Sequence, residues 1–458
     1  MKLNNLHKIY FLGIGGIGMS ALARYFNGRG VQVSGYDKNQ TQLTDLLQKE
    51  GIQIHFEENI KQIPQNIDLV IYTPAIPKNN AEFIHLMNSD IQIKKRSEVL
   101  GLISNELKTV AVAGTHGKTT VSTLIAHLLQ NSSIECNAFL GGISKNYKSN
   151  LLISDQSDWM VVEADEFDRS FLQLNPDISI ITSMDADHLD IYGNLESLKA
   201  NFTQFVKQIK TNGSLIVKEG LQSNFTQIQK IKTYTYSLSQ GSDFYASNIR
   251  LEQNKYCFDF NFQDKVIHDV TLGIPGLINV ENSIVAIAAA MLAGVTEKEI
   301  KIALPAFEGI LRRFDYQINT KEIVFIDDYA HHPEEIKGFV NSVKQIYPNK
   351  KILGIFQPHL FSRTKDFATE FAKNLELLDE IILLPIYPAR EKPIEGVTSE
   401  IILNKINTEN KQICSKDELI ETISKSKFDI LLTMGAGDID QLVFPLKEFF
   451  TESKQLIH

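Results

Sequence analysis

The stretch Gly114-Thr115-His116-Gly117-Lys118-Thr119-Thr120 constrains this chain more than any other. It follows an apolar β-type run, Thr109 to Ala113, and opens a helical pattern from Val121 to Gln130. A strand, a glycine turn, a lysine and a hydroxyl pair at a helix start form a phosphate cradle. The glycines let backbone N–H groups approach the ligand, and the helix N-terminus favours negative charge. The lysine reaches the terminal phosphates, and the hydroxyl after it holds Mg²⁺. The usual P-loop has a glycine five residues before its Gly-Lys pair. Here that position is Val112, so the loop is shorter than in ordinary P-loop ATPases. A tight turn explains the glycines but not Lys118-Thr119-Thr120 beside them. ATP is the expected ligand.

At 458 residues the chain has room for about two to four domains, each with its own core. A net charge of −9 and the lack of a long Lys/Arg run argue against nucleic acid as a partner. Cys136, Cys257 and Cys414 lie far apart without CxxC spacing, which fits a reducing compartment and no structural zinc. Lys8 followed by apolar Ile9 to Met19 imitates a signal peptide. Gly13, Gly15, Gly16 and Gly18 inside that run fit a glycine turn better. The longest uncharged apolar helix candidate begins at Asn282 and ends at Val295, too short to span a bilayer. We expect a cytoplasmic protein, off the membrane, as a monomer or weak homodimer.

Three segments are expected: 1–106, 107–314 and 315–458. The first alternates strands (Lys8 to Leu12, Val31 to Tyr36, Asp68 to Tyr72) with helix (Ile17 to Asn27), a parallel βαβ pattern. It breaks at Thr73-Pro74-Ala75-Ile76-Pro77. The second holds strands Trp159 to Glu163 and Ile178 to Thr182, each followed by carboxylates. From Asn212 to Gly273 it becomes β-rich. There Tyr256, Phe258, Phe260 and Phe262 alternate with Cys257, Asp259 and Asn261, the period of a half-buried strand in an antiparallel side sheet. The third returns to strands Ile323 to Ile326, Ile352 to Phe356, Ile381 to Tyr387 and Ile430 to Met434. Its helices are Glu334 to Gln345 and Asp366 to Leu378. The fold class is therefore α/β: a Rossmann-like first domain, a P-loop ATPase-like centre with a side sheet, and a Rossmann-like third domain. Ligands in such open sheets bind beyond the carboxyl ends of strands, where the distinctive residues fall.

Gly13-Ile14-Gly15-Gly16-Ile17-Gly18 matches GxGxxG, and Asp37 ends the next strand. The pattern admits a diphosphate near a helix start, with the acid on a ribose hydroxyl. It reports a diphosphate more reliably than a nicotinamide. Glu163-Ala164-Asp165-Glu166-Phe167-Asp168 packs four carboxylates into six residues. A cation relieves their repulsion, and Mg²⁺ takes one or two carboxylates plus phosphate and water. Glu163, at the strand end, is the best ligand candidate; a solvated acidic loop is the plainer account. Asp185-Ala186-Asp187-His188-Leu189-Asp190 ends a neighbouring strand, where His188 is either a second metal ligand or a capping histidine. Asp327-Asp328-Tyr329-Ala330-His331-His332-Pro333 places Pro333 at a helix N1 position beside two acids and two histidines. Arg312 and Arg313 precede it, with guanidinium groups suited to phosphates and carboxylates. Gln357 to Thr364 adds a further anion site, and Gly435-Ala436-Gly437-Asp438 a last glycine turn.

Together these motifs resemble the Mur ligases of peptidoglycan synthesis. The resemblance covers the whole chain: the short GTHGKT loop, EADE, DADHLD, Gly276 to Asn282, the Arg312-Arg313-Phe314 run and DDYAHHP. It implies an ATP- and Mg²⁺-dependent ligase joining L-alanine to the lactyl carboxylate of UDP-N-acetylmuramate through an acyl phosphate. The alternative acceptor is the ready-made tripeptide of cell-wall recycling. It further implies that Gly13, Gly15, Gly16, Gly18, Asp37 and Thr73 hold the UDP-sugar. Gly114 to Thr120, with Asn279, Asn282, Arg313 and Asp328, would bind ATP, with Lys118 on the γ-phosphate. Thr119, Glu163 and His188 would hold Mg²⁺. His331 and Arg363 would approach the amino acid. Relatives commonly carry an arginine where Leu360 stands, and Lys199 is not assigned as a modified metal support. An NAD-linked dehydrogenase would leave the phosphate loop and the acidic clusters unexplained. A non-catalytic nucleotide-binding regulator would give no Mg²⁺-dependent product.

Overall fold

The computed structural model describes residues 3–185, 189–228, 231–389 and 391–452. It is a three-domain α/β architecture built on three sheets, and the chain forms two compact units. One unit comprises residues up to 250 with 257–273 and 280–308; the other comprises 251–256, 274–279 and 309 onward.

The first sheet holds β1 (Lys8–Leu12), β2 (Gln32–Tyr36), β3 (Gln53–His55), β4 (Leu69–Tyr72) and β5 (Ile93–Lys95) in the order β3-β2-β1-β4-β5, all parallel. Helices α1 (Ile17–Gly28), α2 (Gln42–Lys49), α3 (Ala81–Met87) and α4 (Arg96–Glu106) connect them. The order reverses at β1, so the crevice opens at the glycine turn that follows it.

The second sheet runs β15-β14-β13-β12-β11-β10-β6-β9-β7-β8. Its strands are β6 (Lys108–Ala113), β7 (Asn137–Ser144), β8 (Ser149–Leu152), β9 (Trp159–Glu163), β10 (Ile178–Ile181), β11 (Ser214–Lys218), β12 (Lys232–Ser237), β13 (Phe244–Glu252), β14 (Lys255–Phe262) and β15 (Lys265–Thr271). The helices are α5 (Lys118–Gln130), α6 (Leu189–Tyr192), α7 (Leu195–Val206), α8 (Leu277–Ala293) and α9 (Glu297–Ala303). β6 sits between β9 and β10, a second switch point, and the phosphate loop leaves its end. The β-rich segment extends this sheet: β11 and β12 pair in parallel, and β14–β15 forms an antiparallel hairpin. One expectation fails here. β14 is buried on both faces, because Asp259 and Asn261 are sealed by cross-strand bonds. Asp259 accepts from Asp269 N (2.9 Å) and Asn248 Nδ2 (3.0 Å), and Asn261 Nδ2 donates to Ser247 Oγ (2.9 Å). Alternation marks polarity in this strand; it does not mark exposure.

The third sheet runs β16-β17-β21-β18-β19-β20. It comprises β16 (Asp315–Asn319), β17 (Val324–Asp328), β18 (Ile352–Phe356), β19 (Glu380–Leu383), β20 (Lys411–Ile413) and β21 (Ile430–Met434). Its helices are α10 (Pro333–Ile346), α11 (Phe361–Asp366), α12 (Ala368–Leu375), α13 (Glu400–Leu403), α14 (Leu419–Ser424) and α15 (Asp440–Glu452). The expected helix Asp366 to Leu378 is α12 alone, preceded by a separate helix, α11, that the pattern did not signal. β19 stops early because Pro385 and Pro388 follow it. No helix among the described residues is long and apolar enough to cross a membrane.

Candidate functional site

Chain direction dictates the phosphate loop. β6 delivers Gly114 at φ +134°, and Gly117 caps α5 in the left-handed region at φ +82°. A Cβ on Gly114 would lie 2.1 Å from Thr182 Oγ1, so a side chain fails there on both conformation and space. α5 begins at Lys118, three residues ahead of the apolar pattern, so Lys118, Thr119 and Thr120 form its first turn. Gly117 offers no side-chain cap, which leaves the cationic end of the helix dipole for an anion. The end of β10 braces the loop. Ser183 Oγ accepts from His116 N (2.8 Å) and lies 2.9 Å from Thr115 Oγ1, and Asp185 N donates to Thr115 Oγ1 (3.1 Å). Sequence reading missed Thr182 and Ser183; their position at the end of a neighbouring parallel strand was the signal.

Lys118 Nζ donates to the Gly114 carbonyl (2.7 Å) and to Glu166 Oε1 (2.8 Å). Its burial favours the neutral amine, but Glu166, Asp165 and Glu163 outweigh this and hold it protonated. Burial pushes the Glu166 carboxyl above its ordinary range, against the pull of Lys118. The carboxylate run thus divides: Glu166 balances the lysine, a role its sequence context did not reveal. Glu163 pairs in register with Val112, directly before the phosphate loop. A Cβ on Gly141 would sit 1.9 Å from its Oε2. One strand-end carboxylate and a buried helix-start hydroxyl, Thr119, suit Mg²⁺, which takes its remaining ligands from phosphate and water. Among the described residues, no group of three or more His, Cys, Asp or Glu side chains is arranged to hold a metal. His188 lies outside the described residues. Asn282, on α8, places Oδ1 3.2 Å from the Cβ position of Gly117, so it borders the loop.

A cleft of about 260 Å³ joins the first glycine turn to this centre. Gly16, Gly18, Thr73 and Arg96 line one part, and Glu163 and Asp165 another. Gly13 stands at φ +83°, and a Cβ there would meet Thr73 Cγ2 at 2.5 Å. Asp37 Oδ2 accepts from Gly15 N (2.7 Å), so one of its oxygens organises the turn. Arg96, which sequence reading did not select, packs its Nη1 2.8 Å from the Cβ position of Gly18 and its Nη2 3.9 Å from Asp165 Oδ2.

In the second unit, the ends of β17, β18 and β21 gather the remaining candidates. His331 Nδ1 faces two acceptors, the Tyr329 carbonyl (3.0 Å) and Glu335 Oε2 (3.2 Å). It therefore carries the proton and leaves Nε2 as the basic nitrogen. The His331 ring lies 5.9 Å from His359, which stacks on Tyr387. The two arginines separate. Arg312 is structural, donating to the Gly435 carbonyl (2.6 Å) and Asp327 Oδ2 (3.3 Å). Arg313 lies 5.0 Å over the Tyr329 ring, which Arg312 also approaches at 5.1 Å. Asp328 accepts from Phe314 N (2.7 Å) and Ala330 N (2.8 Å). Burial pushes its carboxyl up to about 6, against Arg313 and those N–H groups. Asn279 Nδ2 donates to the Pro275 carbonyl (2.6 Å). Arg363 is buried on α11, whose start is held by Ser362 N donating to Glu391 Oε2 (2.9 Å). Leu360, immediately before that helix, stands at φ +68°.

Three family descriptions match in chain order: the Mur ligase catalytic domain over residues 8–107, the Mur ligase middle domain over 112–290, and the Mur ligase glutamate ligase domain over 312–437. The chain belongs to the Mur ligase family. Among family members, the UDP-N-acetylmuramate–L-alanine ligase of Parabacteroides distasonis is 48% identical over 453 residues, 98% of each chain. That of Flavobacterium psychrophilum is 48% identical over 456 residues, 99% of this chain and 100% of its own. The crystal structure of the Mur ligase MurC, UDP-N-acetylmuramate-alanine ligase from Thermotoga maritima, superposes with a TM-score of 0.82 at 28% identity, covering 97% of this chain and 99% of its own. A murein peptide ligase from Psychrobacter arcticus shares the fold at a TM-score of 0.71 and 24% identity, covering 96% and 98%.

Proposed function

We propose that this Mur ligase uses ATP to join L-alanine to the lactyl carboxylate of UDP-N-acetylmuramate, in peptidoglycan precursor synthesis. The observation that carries the reading is the cleft with a diphosphate-type glycine turn on one side and Glu163, beside the phosphate loop, on another. A sugar nucleotide seated on that turn directs its carboxylate toward the ATP loop. The printed names of the near-full-length relatives support L-alanine as the acceptor.

A carboxylate is a poor electrophile. Attack of its oxygen on the γ-phosphorus releases ADP and forms an acyl phosphate. The alanine amine then displaces inorganic phosphate, losing a proton as the amide forms. Charge rather than covalent chemistry is what the chain must manage, so positioning and electrostatics dominate. Lys118 is protonated, and its two loop contacts leave one ammonium hydrogen for a γ-phosphate oxygen. The α5 N-terminus and Thr115 to Thr120 hold the phosphates, with Asn282 at the loop. Thr119 and Glu163 would hold Mg²⁺, with His188 as a further ligand, and the ion would supply charge neutralisation for the phosphates. In the second unit, Asn279, Arg313 and Asp328 are assigned to the nucleotide, and His331 and Arg363 to the amino acid, with His331 Nε2 as a proton acceptor for the amine. The functional segments are taken as 1–106, 107–314 and 315–458.

The test is phosphate release from ATP with Mg²⁺ and UDP-N-acetylmuramate, with L-alanine in one reaction and the tripeptide in another. Release with L-alanine, lost in Lys118→Ala, is the expected result. Release with the tripeptide alone would move the acceptor to recycling, and release with neither would overturn the ligase reading.

A further inference from the structure

We infer that Asn150 is a positioning residue that locks the helix carrying the sugar-nucleotide turn onto the central sheet. Asn150 lies on β8, the edge strand of that sheet, and is fully buried. Its amide makes three contacts, all to α1 of the first sheet. Nδ2 donates to the Ile17 carbonyl (2.5 Å) and to Ser20 Oγ (3.0 Å), and Oδ1 accepts from Arg24 Nη1 (2.6 Å). Positions 17, 20 and 24 share one face of a helix, so one side chain grips α1 along its first two turns. Arg24 carries the grip onward through Nε (2.8 Å) and Nη2 (2.8 Å) to the Glu50 carboxylate after α2. Tyr25 packs on Phe139 of β7 at 5.2 Å beside it.

The consequence is geometric. Gly16, Ile17 and Gly18 line the cleft, and Ile17 is the first residue of α1. Phe139, Gly141 and Glu163 line the same cleft from the central sheet. The glycine turn and the ATP loop belong to different sheets, so the lactyl carboxylate meets ATP correctly only if α1 keeps its place on the second sheet. Apolar contacts tolerate sliding. Three directional hydrogen bonds on a buried amide do not, because a shifted helix leaves polar groups unpaired. Misplacement of about 1 Å costs on the order of a hundredfold in rate.

This inference rests on the ligase reading above, and the experiment separates the two. Asn150→Ala and Asn150→Asp are compared with wild type. The Asp variant keeps the shape and the Arg24 contact but loses both N–H donations. Arg24→Met, which removes the Oδ1 contact and the Glu50 ion pair but leaves both Nδ2 donations in place, serves as the further variant if either fails to fold. For each, kcat/KM is measured for UDP-N-acetylmuramate, KM for ATP and L-alanine, and the binding of UDP alone. The expected result is a loss of about tenfold to a hundredfold in kcat/KM for UDP-N-acetylmuramate. KM for ATP and L-alanine and the affinity for UDP should stay within about twofold, because each site is intact and only their separation has changed. An unchanged kcat/KM in folded variants would overturn the inference. So would a comparable rise in KM for ATP and L-alanine, or weaker binding of UDP itself, which would mark Asn150 as support for the turn or the fold generally. Wild-type protein that binds UDP but releases no phosphate with UDP-N-acetylmuramate would overturn the ligase reading and this inference with it.

Discussion

Gly141 shows how one missing side chain can set a functional group. A Cβ there would lie 1.9 Å from Glu163 Oε2, but the backbone is not in the left-handed region and the obstacle is the end of a flexible side chain. Gly141→Ala should therefore fold and push the Glu163 carboxylate aside. The Mg²⁺ concentration for half-maximal phosphate release should rise roughly 10–100-fold with little change in melting temperature, by analogy with the displacement of groups that orient metal ligands. An unchanged Mg²⁺ titration would remove Glu163 from the metal site. Lys118 and Glu166 pose a different problem, because Lys118 is both the proposed phosphate contact and the buried partner of a carboxylate. Removing one member of such a pair costs about 3–5 kcal/mol. Lys118→Ala should thus lose activity and stability together, whereas Lys118→Ala with Glu166→Gln should recover stability in denaturant unfolding and remain inactive. Recovery of phosphate release in the double variant would mean that Lys118 acts only through the fold.

At the scale of elements, α9 is held by a cap that also reaches beyond the helix. Thr296 Oγ1 accepts from Glu299 N (3.4 Å), and the Glu299 carboxylate accepts from Thr296 N (2.8 Å) and, across the fold, from Ser133 N after α5 (2.8 Å). Those N–H groups hold the Glu299 carboxyl down at about 2. A depressed acid stabilises the fold above its ordinary value and loses that contribution as pH falls through the folded one, here between about 4.5 and about 2. Thr296→Ala should cost about 1 kcal/mol at neutral pH, and Glu299→Gln should flatten the acid limb of the unfolding curve; an acid limb equal to wild type would show that the cap is not felt there. The same scale explains what the sequence discloses. Strands Lys8–Leu12, Trp159–Glu163, Ile352–Phe356 and Ile430–Met434 were legible to the residue, because buried parallel strands are unbroken apolar runs with abrupt ends. The glycine turns were legible because few residues substitute at Gly13, Gly114 or Gly117. α11 was not, since it starts after Leu360 at φ +68°, a conformation leucine rarely adopts and only the surrounding fold can impose. Nor was the division of labour in Glu163 to Asp168: four carboxylates look alike in sequence, and only packing gives Glu166 to Lys118.

At the scale of the whole molecule, two sets of acids carry opposite pH signatures. Asp68 and Asp429, near the surface, and Asp259, sealed in the β14 pairing, are pulled below the ordinary range, chiefly by backbone N–H donors. Buried Asp327 and Asp328, at the end of β17, are pushed up by desolvation. The sign for Asp328 follows from proton counting. Between the ordinary value of 3.8 and about 6 the folded state binds more protons than the unfolded state, so stability falls as pH rises through that window. A shift of this size corresponds to about 3 kcal/mol. The fold therefore keeps a group that weakens it at neutral pH, the pattern of a carboxylate retained for chemistry rather than for stability. Asp328→Asn removes the titration. Its amide nitrogen cannot accept, whereas both Asp328 oxygens can, one from Phe314 N and one from Ala330 N, so the variant should be less stable than wild type at pH 4. The deficit should shrink by about 2 kcal/mol between pH 4 and pH 7 as wild type deprotonates. Denaturant unfolding of both proteins at these two pH values measures this directly. A deficit independent of pH would mean that the Asp328 carboxylate is already ionised at pH 4, held there by Arg313 and the two backbone donors.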